Sequence, residues 1–316
     1  SVSPSGAIQL LEGQTLSVTA TEALDYDFVN WTDDGTFVSG NAVYSYTMPA
    51  RNVVLQANFS LDWYWTNTTG NNQWNDPENW SRGIVPTGTF NDDIYIDGTG
   101  GIPGPIVSTV VTLGLENNIY VQNGGELTIA NVGNLSTGGD LLVDDATVTV
   151  QSGGSLTATN ATITNDGEVV VSNGGSLNAD VILVNHDSHL QADGSVATGS
   201  LLFGPFNAGE GQTSGSVTIG ATGLMTADLV TVNNGGTVLV NGELELNQNG
   251  SLTLSGGGQL TIGNGATLDA GANNTTVTIQ DTGTMTVANG GTLLVNGTGS
   301  ALIVETGASL VAQEDA

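Results

Sequence analysis

The sequence predicts an all-β chain: a right-handed parallel β-helix of about 21 residues per coil, led by a small β-domain and a Trp-rich cap. Three observations point there. Short apolar strands bounded by glycine recur through the last two-thirds of the 316 residues, as in NGGTLLVNGTGSALIVETGASLVA (289–312). Aromatic residues crowd the front, with all five Trp at or before residue 80 and only Phe203 and Phe206 beyond Tyr120. Charge is one-sided: 31 acidic residues stand against two Arg and no Lys, a net charge of −29.

That charge sets long-range repulsion against nucleic acid and anionic membrane, so neither is an expected partner. Basic ligands and divalent cations are the favoured counterparts. The chain has no Cys and hence no disulfide framework. It has no run of 18 apolar residues, which predicts no membrane-spanning helix. It begins at Ser1 without Met, which reads as a mature or excised piece of something longer.

Composition divides the chain into residues 1–61, 62–105 and 106–316. The first part reads as alternating strands, TLSVTA (15–20), YDFVNW (26–31), AVYSYTM (42–48) and VVLQANF (53–59), with turn chemistry such as TDDG (32–35) between them. The stretches EGQTLSVTA (12–20), Phe28-Val-Asn-Trp31 and YTMPARNVVLQANF (46–59), with the SPSG opening (3–6), resemble the bacterial B repeat first described in internalins. The resemblance implies a small extracellular β-domain of surface proteins with no catalytic residues to carry over. The strand that should precede SPSG is almost absent here.

Residues 63–97 look like the leading segment of secreted bacterial β-helix proteins, with Trp65, Trp74, Asn79-Trp80, Pro86 and Asp93 as the matching residues. Two readings of the tryptophans compete. They form an aromatic platform for sugars, or they cap the first coil, whose core and edge hydrogen bonds need a cover. Clustering immediately before the repeats favours the cap.

In residues 106–316 the glycine triplets align. Their apolar members Leu135, Leu156, Leu177, Val196, Val217, Val238 and Leu260 are spaced 21, 21, 19, 21, 21 and 22 residues apart. A coil of that length holds two or three short strands, and coils stacked at about 4.8 Å would set these seven residues in one internal column. About ten coils would make a rod of roughly 50 Å. Gly and Asn mark the corners, where both tolerate positive φ. Left-handed hexapeptide helices repeat at 18 residues, and the calcium-binding nonapeptide roll needs a G-G-x-G-x-D that NGGELTIAN (123–131) lacks.

The tract carries 19 Asp and Glu but no Lys or Arg, so a lyase needing a basic residue is excluded. Asp145, Asp166 and Asp187 recur at 21 and 21, which predicts one corner of three consecutive coils, with Asp228 in nearly the same column. One reading makes them turn formers. A second makes them a Ca²⁺ ladder, since stacked carboxylates at ~4.8 Å repel by about 1 kcal/mol even in water and a bridging cation would relieve that. A third makes them the acids of a glycan hydrolase. His186 and His189 flank Asp187 as H-x-x-H, and with Phe203 and Phe206 they form the one candidate ligand patch. Thr-x-Thr occurs at 147–149, 162–164 and 276–278, too scattered for an ice-binding face.

The sequence therefore reads as a non-enzymatic, extracellular structural module of a bacterial surface or secreted protein: a stalk, adhesin or filament unit. The alternative is a glycan-binding or glycan-hydrolysing β-helix whose partners are surface glycans. The coil pattern runs on through ASLV (308–311), which leads to an expectation of head-to-tail self-association, one copy covering the open coil of the next.

Overall fold

The computed structural model describes residues 1–21, 26–88, 92–203 and 214–313, with the backbone alone at 27, 29, 60 and 61. Residues 1–61 fold as two three-stranded antiparallel sheets. One orders Val2–Ser3, Thr15–Ala20 and Val43–Thr47; the other orders Thr36–Ser39, Tyr26–Asp33 and Leu55–Leu61. Alternation in these strands sends Val18, Ala20 and Trp31 into a small core, ringed by half-buried Leu16, Phe28, Leu55 and Phe59. A polar pin joins the sheets: Asp33 accepts from the Tyr46 hydroxyl at 2.6 Å and from Arg51 at 2.7 Å. The first strand is as short as the sequence suggests, pairing only Val2 with Ala20 and Ser3 with Thr19.

From Trp63 the chain winds into a parallel β-helix with three faces per coil. One coil shows the plan: Asn134–Ser136 on the first face, Leu141–Asp144 on the second, Thr147–Val150 on the third. In the middle coils the first two faces are single bent strands, such as Ser155–Thr164 and Ser176–Val184, within one 15-stranded sheet. The third face is a 10-stranded sheet from Ile106–Val107 to Ser309–Ala312, unbroken in its pairing. At about 4.8 Å per strand it runs roughly 45 Å.

Alternate residues of the faces point inward, and beyond the tryptophans at the front the interior is mainly aliphatic. Leu127, Val148, Val169 and Leu190 stack on the third face, with Ile119, Leu141, Ala161 and Ile182 on the second. All eight are at most 1% exposed. Burying apolar area in such unbroken columns is the main source of stability, at ~25 cal/mol per Å².

The single column expected from the glycine triplets is in fact two. Leu135, Leu156, Leu177 and Val196 do stack on the first face, but Met225 comes next. Val217, Val238 and Leu260 lie on the third face, above Leu190. The cause is a lengthened coil. On the second face Leu201 pairs with Val230, 29 residues on, where Ala161 pairs with Ile182 after 21. The eight added residues match one face of the triangle, so the triplet recurs at 21 while sliding one face out of phase.

Glycine serves the corners in two ways, of which positive φ is only the first. Gly257 has φ +80°, while at Gly258 an added Cβ would stand 2.1 Å from the carbonyl oxygen of Val232 in the coil beneath. The second glycine is there for close approach of two backbones. Asn therefore replaces the first kind and not the second. Gly265, at φ +73° with open space around its Cβ position, is of the first kind. Gly265→Asn should be nearly neutral in thermal unfolding, whereas Gly258→Asn and Gly258→Ala should each cost about 1–3 kcal/mol through overpacking. Equal losses at the two positions would show that conformation alone governs both.

Candidate functional site

Three groups of side chains carry the chemical possibilities: the tryptophan cluster, the acidic corner and a row of tyrosines. Trp63–Tyr64 and Ile94–Asp97 are already rungs of the second face, with Trp63 paired to Ile94 and Ile94 to Ile119. The segment 62–105 is thus woven into the helix rather than placed before it. Trp65, Trp74 and Trp80 are 4%, 1% and 2% exposed and join the same core as Ile94, Val107 and Ile119. Trp80 is the hub, with ring centroids of Trp74 at 4.7 Å and Trp65 at 5.0 Å, both near edge-to-face. Its indole donates to the Trp74 carbonyl at 2.7 Å, and that of Trp65 to the Pro103 carbonyl at 2.8 Å. Arg82 lies 4.2 Å over the Trp63 ring and pairs with Asp92 at 2.6 Å. These indoles offer no open face to a sugar; they close the core.

Asp145, Asp166 and Asp187 do share one corner, between the second and third faces, and all three are exposed. The Asp145 amide donates to Thr164 of the next coil and the Asp166 amide to His186 of the one after, so the coils are consecutive. Backbone conformation explains the residue types. Asn165-Asp166 have φ of 50° and 61°, and His186-Asp187 have 48° and 60°, as Asn123-Gly124 and Asn234-Gly235 have at the same corner. Each pair sits inside a turn closed by an amide three residues on, such as Gly167 to Thr164 at 2.9 Å and Ser188 to Asn185 at 3.0 Å. Two left-handed residues in a closed turn make type I′, which selects Asn, Asp and Gly. Among the described residues no group of three or more His, Cys, Asp or Glu is placed to hold a metal ion.

The fourth expected member is elsewhere. Asp228 lies between the first and second faces, just past Ala227, where Asn247 donates to it at 2.8 Å. The histidines also separate: His186 Nδ1 meets Thr164 Oγ1 at 2.7 Å on the corner, and His189 Nδ1 meets Ser216 Oγ at 2.8 Å on the third face. Phe203 is 3% exposed and belongs to the interior above Val184, where Gly236 leaves room for its ring. It cannot line an outward patch. Phe206 lies outside the described residues.

Sequence reasoning missed two features of the outer surface. Carboxylates at the corners alternate with amides from coil to coil. Asn118 donates to Asp93 at 3.0 Å and Asn160 to Asp140 at 2.7 Å at one corner; Asn123 donates to Asp97 at 2.7 Å and Asn165 to Asp144 at 2.7 Å at the other. Partial burial pushes the Asp97 carboxyl up, but bonds from Thr99, Gln122 and Asn123 outweigh it and hold it at about 2. The signal was present as Asp and Asn exchanging places at coil spacing; aligning Asp only with Asp concealed it.

The second missed feature is aromatic. Tyr64, Tyr95 and Tyr120 stack in register on the outer second face, with centroids 5.1 and 4.8 Å apart and rings 13° and 9° from parallel. All three are half-buried. Burial raises the Tyr120 hydroxyl above its usual pKa, with the charge and hydrogen bond of Asp93 adding to it. Ring faces turn to one another and not outward, so this is no sugar platform either.

The family matches fall on the front of the chain. Residues 1–62 match the divergent InlB B-repeat domain. Residues 64–183 match a domain of unknown function (DUF8693), a span that joins the Trp cluster to the first coils. No curated protein matches the chain. Among solved structures, the TibC-catalyzed hyper-glycosylated fragment of TibA (its residues 55–350) is 19% identical over 70% of this chain and 92% of that one. Its TM-score is 0.21, too low to support an argument about this chain.

Three outcomes follow from the geometry. Trp80→Ala should cost about 3–5 kcal/mol in unfolding, as for a large core aromatic; a change confined to sugar binding would defeat the cap. For Asp97 the folded pKa is depressed, so its contribution is present above the unfolded value of 3.8 and is lost as pH falls towards about 2. Asp97→Asn should therefore flatten the pH dependence of melting between pH 4 and pH 2, and an unchanged acid profile would sink that assignment. Finally, the left-handed backbone at Asp145, Asp166 and Asp187 accounts for the residue type without a cation and predicts that chelation leaves the Tm unchanged. A fall in Tm on chelation, abolished by their Asn variants, would establish a bound cation instead.

Proposed function

We propose that this chain is a non-enzymatic structural segment of a bacterial surface or secreted protein, a stiff rod carrying a B-repeat domain at one end. The observation that carries this reading is the third-face sheet, paired strand to strand from residue 106 to residue 312. Each coil contacts its neighbours only, so such a rod sets distance by coil number and tolerates addition or loss of whole coils. The B-repeat match at residues 1–62 supports a surface setting. Asp145, Asp166 and Asp187 occupy left-handed corners, and Asp93, Asp97, Asp140 and Asp144 accept from amides of neighbouring coils. Along the rod the described aromatics are buried or stacked on one another: the Trp cluster and Phe203 inside, Tyr64, Tyr95 and Tyr120 against each other. Neither arrangement makes the pocket with convergent polar groups that a ligand or substrate site uses.

A deletion tests the spacer role directly. Removing residues 147–167 excises one coil in register, because Thr147 pairs with Glu168. The shortened chain should fold, keep its melting cooperativity and lose about 4.8 Å of length by small-angle scattering. Antibody labelling of intact native cells should reach the B-repeat domain. Glycan hydrolysis, or saturable glycan binding abolished by a substitution on the rod, would overturn the proposal in favour of the carbohydrate-active alternative.

A further inference from the structure

The tyrosine row is a feature that the rod's spacing role does not use. Among the six tyrosines of the chain, Tyr64, Tyr95 and Tyr120 stack near-parallel at 5.1 and 4.8 Å on the outer second face, each half-exposed. The other tyrosines differ. Tyr44 and Tyr46 are 6.2 Å apart at 68°, Tyr46 is buried, and Tyr26 is 45% exposed with no tyrosine ring against it. In a parallel stack with the hydroxyl ends alike, the ring carbons ortho to the hydroxyls of neighbouring rings lie over one another. All three rings are partly exposed on the outer surface of the sheet. The chain also holds no Cys to intercept an oxidant first.

We propose that Tyr95 and one of its two stacked neighbours are a site of oxidative coupling, forming a dityrosine that staples consecutive coils next to the tryptophan cap. The co-reactant is hydrogen peroxide acting through a one-electron oxidant of the haem-peroxidase class. Each phenol gives up one electron and its phenolic proton. The two phenoxyl radicals join through a carbon–carbon bond between ortho positions. Each coupled ring then moves its ortho hydrogen, as a proton, back to oxygen. Two hydrogen atoms leave in all, and one peroxide is reduced to two waters. Asp93, hydrogen-bonded to the Tyr120 hydroxyl, stands ready to accept the proton at that ring. Because Tyr95 belongs to both pairs, the pairs 64–95 and 95–120 compete, and one staple per molecule is the first product.

The chain itself makes the test readable. Cleavage after Arg51, Glu78 and Glu116 places the three B-repeat tyrosines, Tyr64, Tyr95 and Tyr120 on separate peptides. The purified full chain is treated at low concentration with peroxidase and hydrogen peroxide, then read by dityrosine fluorescence and peptide mass. The expected product is monomeric, lacks two hydrogens, and joins the Tyr95 peptide to that of Tyr64 or Tyr120. Tyr95→Phe keeps the ring stack but sets the remaining tyrosines two rungs apart, and should drop coupling at least tenfold. Tyr64→Phe should retain it through the 95–120 pair, which separates loss of geometry from loss of one phenol. Coupling that survives Tyr95→Phe, that runs mainly through Tyr26 between molecules, or that fails to occur in the folded wild-type chain would overturn the proposal.

Discussion

The spacing of about 4.8 Å between parallel strands is the constraint on which the rest of this molecule depends. In-register coils place each side chain over its counterpart one coil away, so every position must tolerate its own neighbour. Inside, that demand is met simply. Leu, Ile and Val stack on one another in columns, and where Phe203 breaks the size pattern, Gly236 supplies the space. Outside, the same rule is harder on charge, because carboxylates stacked at that distance repel by about 1 kcal/mol even when hydrated.

The corners answer with amides. Asn118 between Asp93 and Asp140 donates its side-chain amide to the first carboxylate, while its side-chain oxygen accepts from the backbone of Asp140 at 2.8 Å. Asn165 does the same work for Asp144. Hydrogen bonds to a charged acceptor are worth more than neutral ones, about 1.5–3 kcal/mol, which exceeds the repulsion they replace. Asp145, Asp166 and Asp187 are the exception. They recur on consecutive coils, and their position is set by the left-handed backbone of the corner, which few residues other than Gly, Asn and Asp adopt. Turn conformation outweighs charge there because the three side chains are exposed and well screened.

Much of this was legible beforehand, and unevenly so. Periodic glycine triplets report backbone geometry directly, and they yielded the solenoid and its coil length. The burial of Trp65, Trp74 and Trp80 followed from where they cluster. Phase was not legible. Leu135 and Val217 carry the same local pattern, and only strand pairing shows that a coil lengthened by one face has moved the second onto another sheet. Phe203 misled for a related reason: its side of the strand depends on register, and a one-residue difference separates a core ring from a surface ring. Contacts between coils, such as the Tyr64–Tyr95–Tyr120 stack, link residues at separations of 31 and 25, which no window as short as one coil connects.

The same constraint gives a physical account of the unusual composition. A cation placed at a repeating outward position would meet a cation above and below, just as Asp would meet Asp. Lys could relieve an acidic column only by alternating with it, and a Lys ammonium donates without accepting. An amide does both. Asn can sit over Asp, as at Asn160 over Asp140, or over another Asn, as Asn274 donates to Asn249 at 3.1 Å. It also adopts the left-handed corner, as Asn165 and Asn234 do, which a long basic side chain does poorly. One residue type thus satisfies the turn, the carboxylate beneath and its own kind. A rod built by in-register stacking can grow rich in Asn and Gly, keep its acids and go without Lys, and the 19 uncompensated acids of residues 106–316 then follow from how its coils meet.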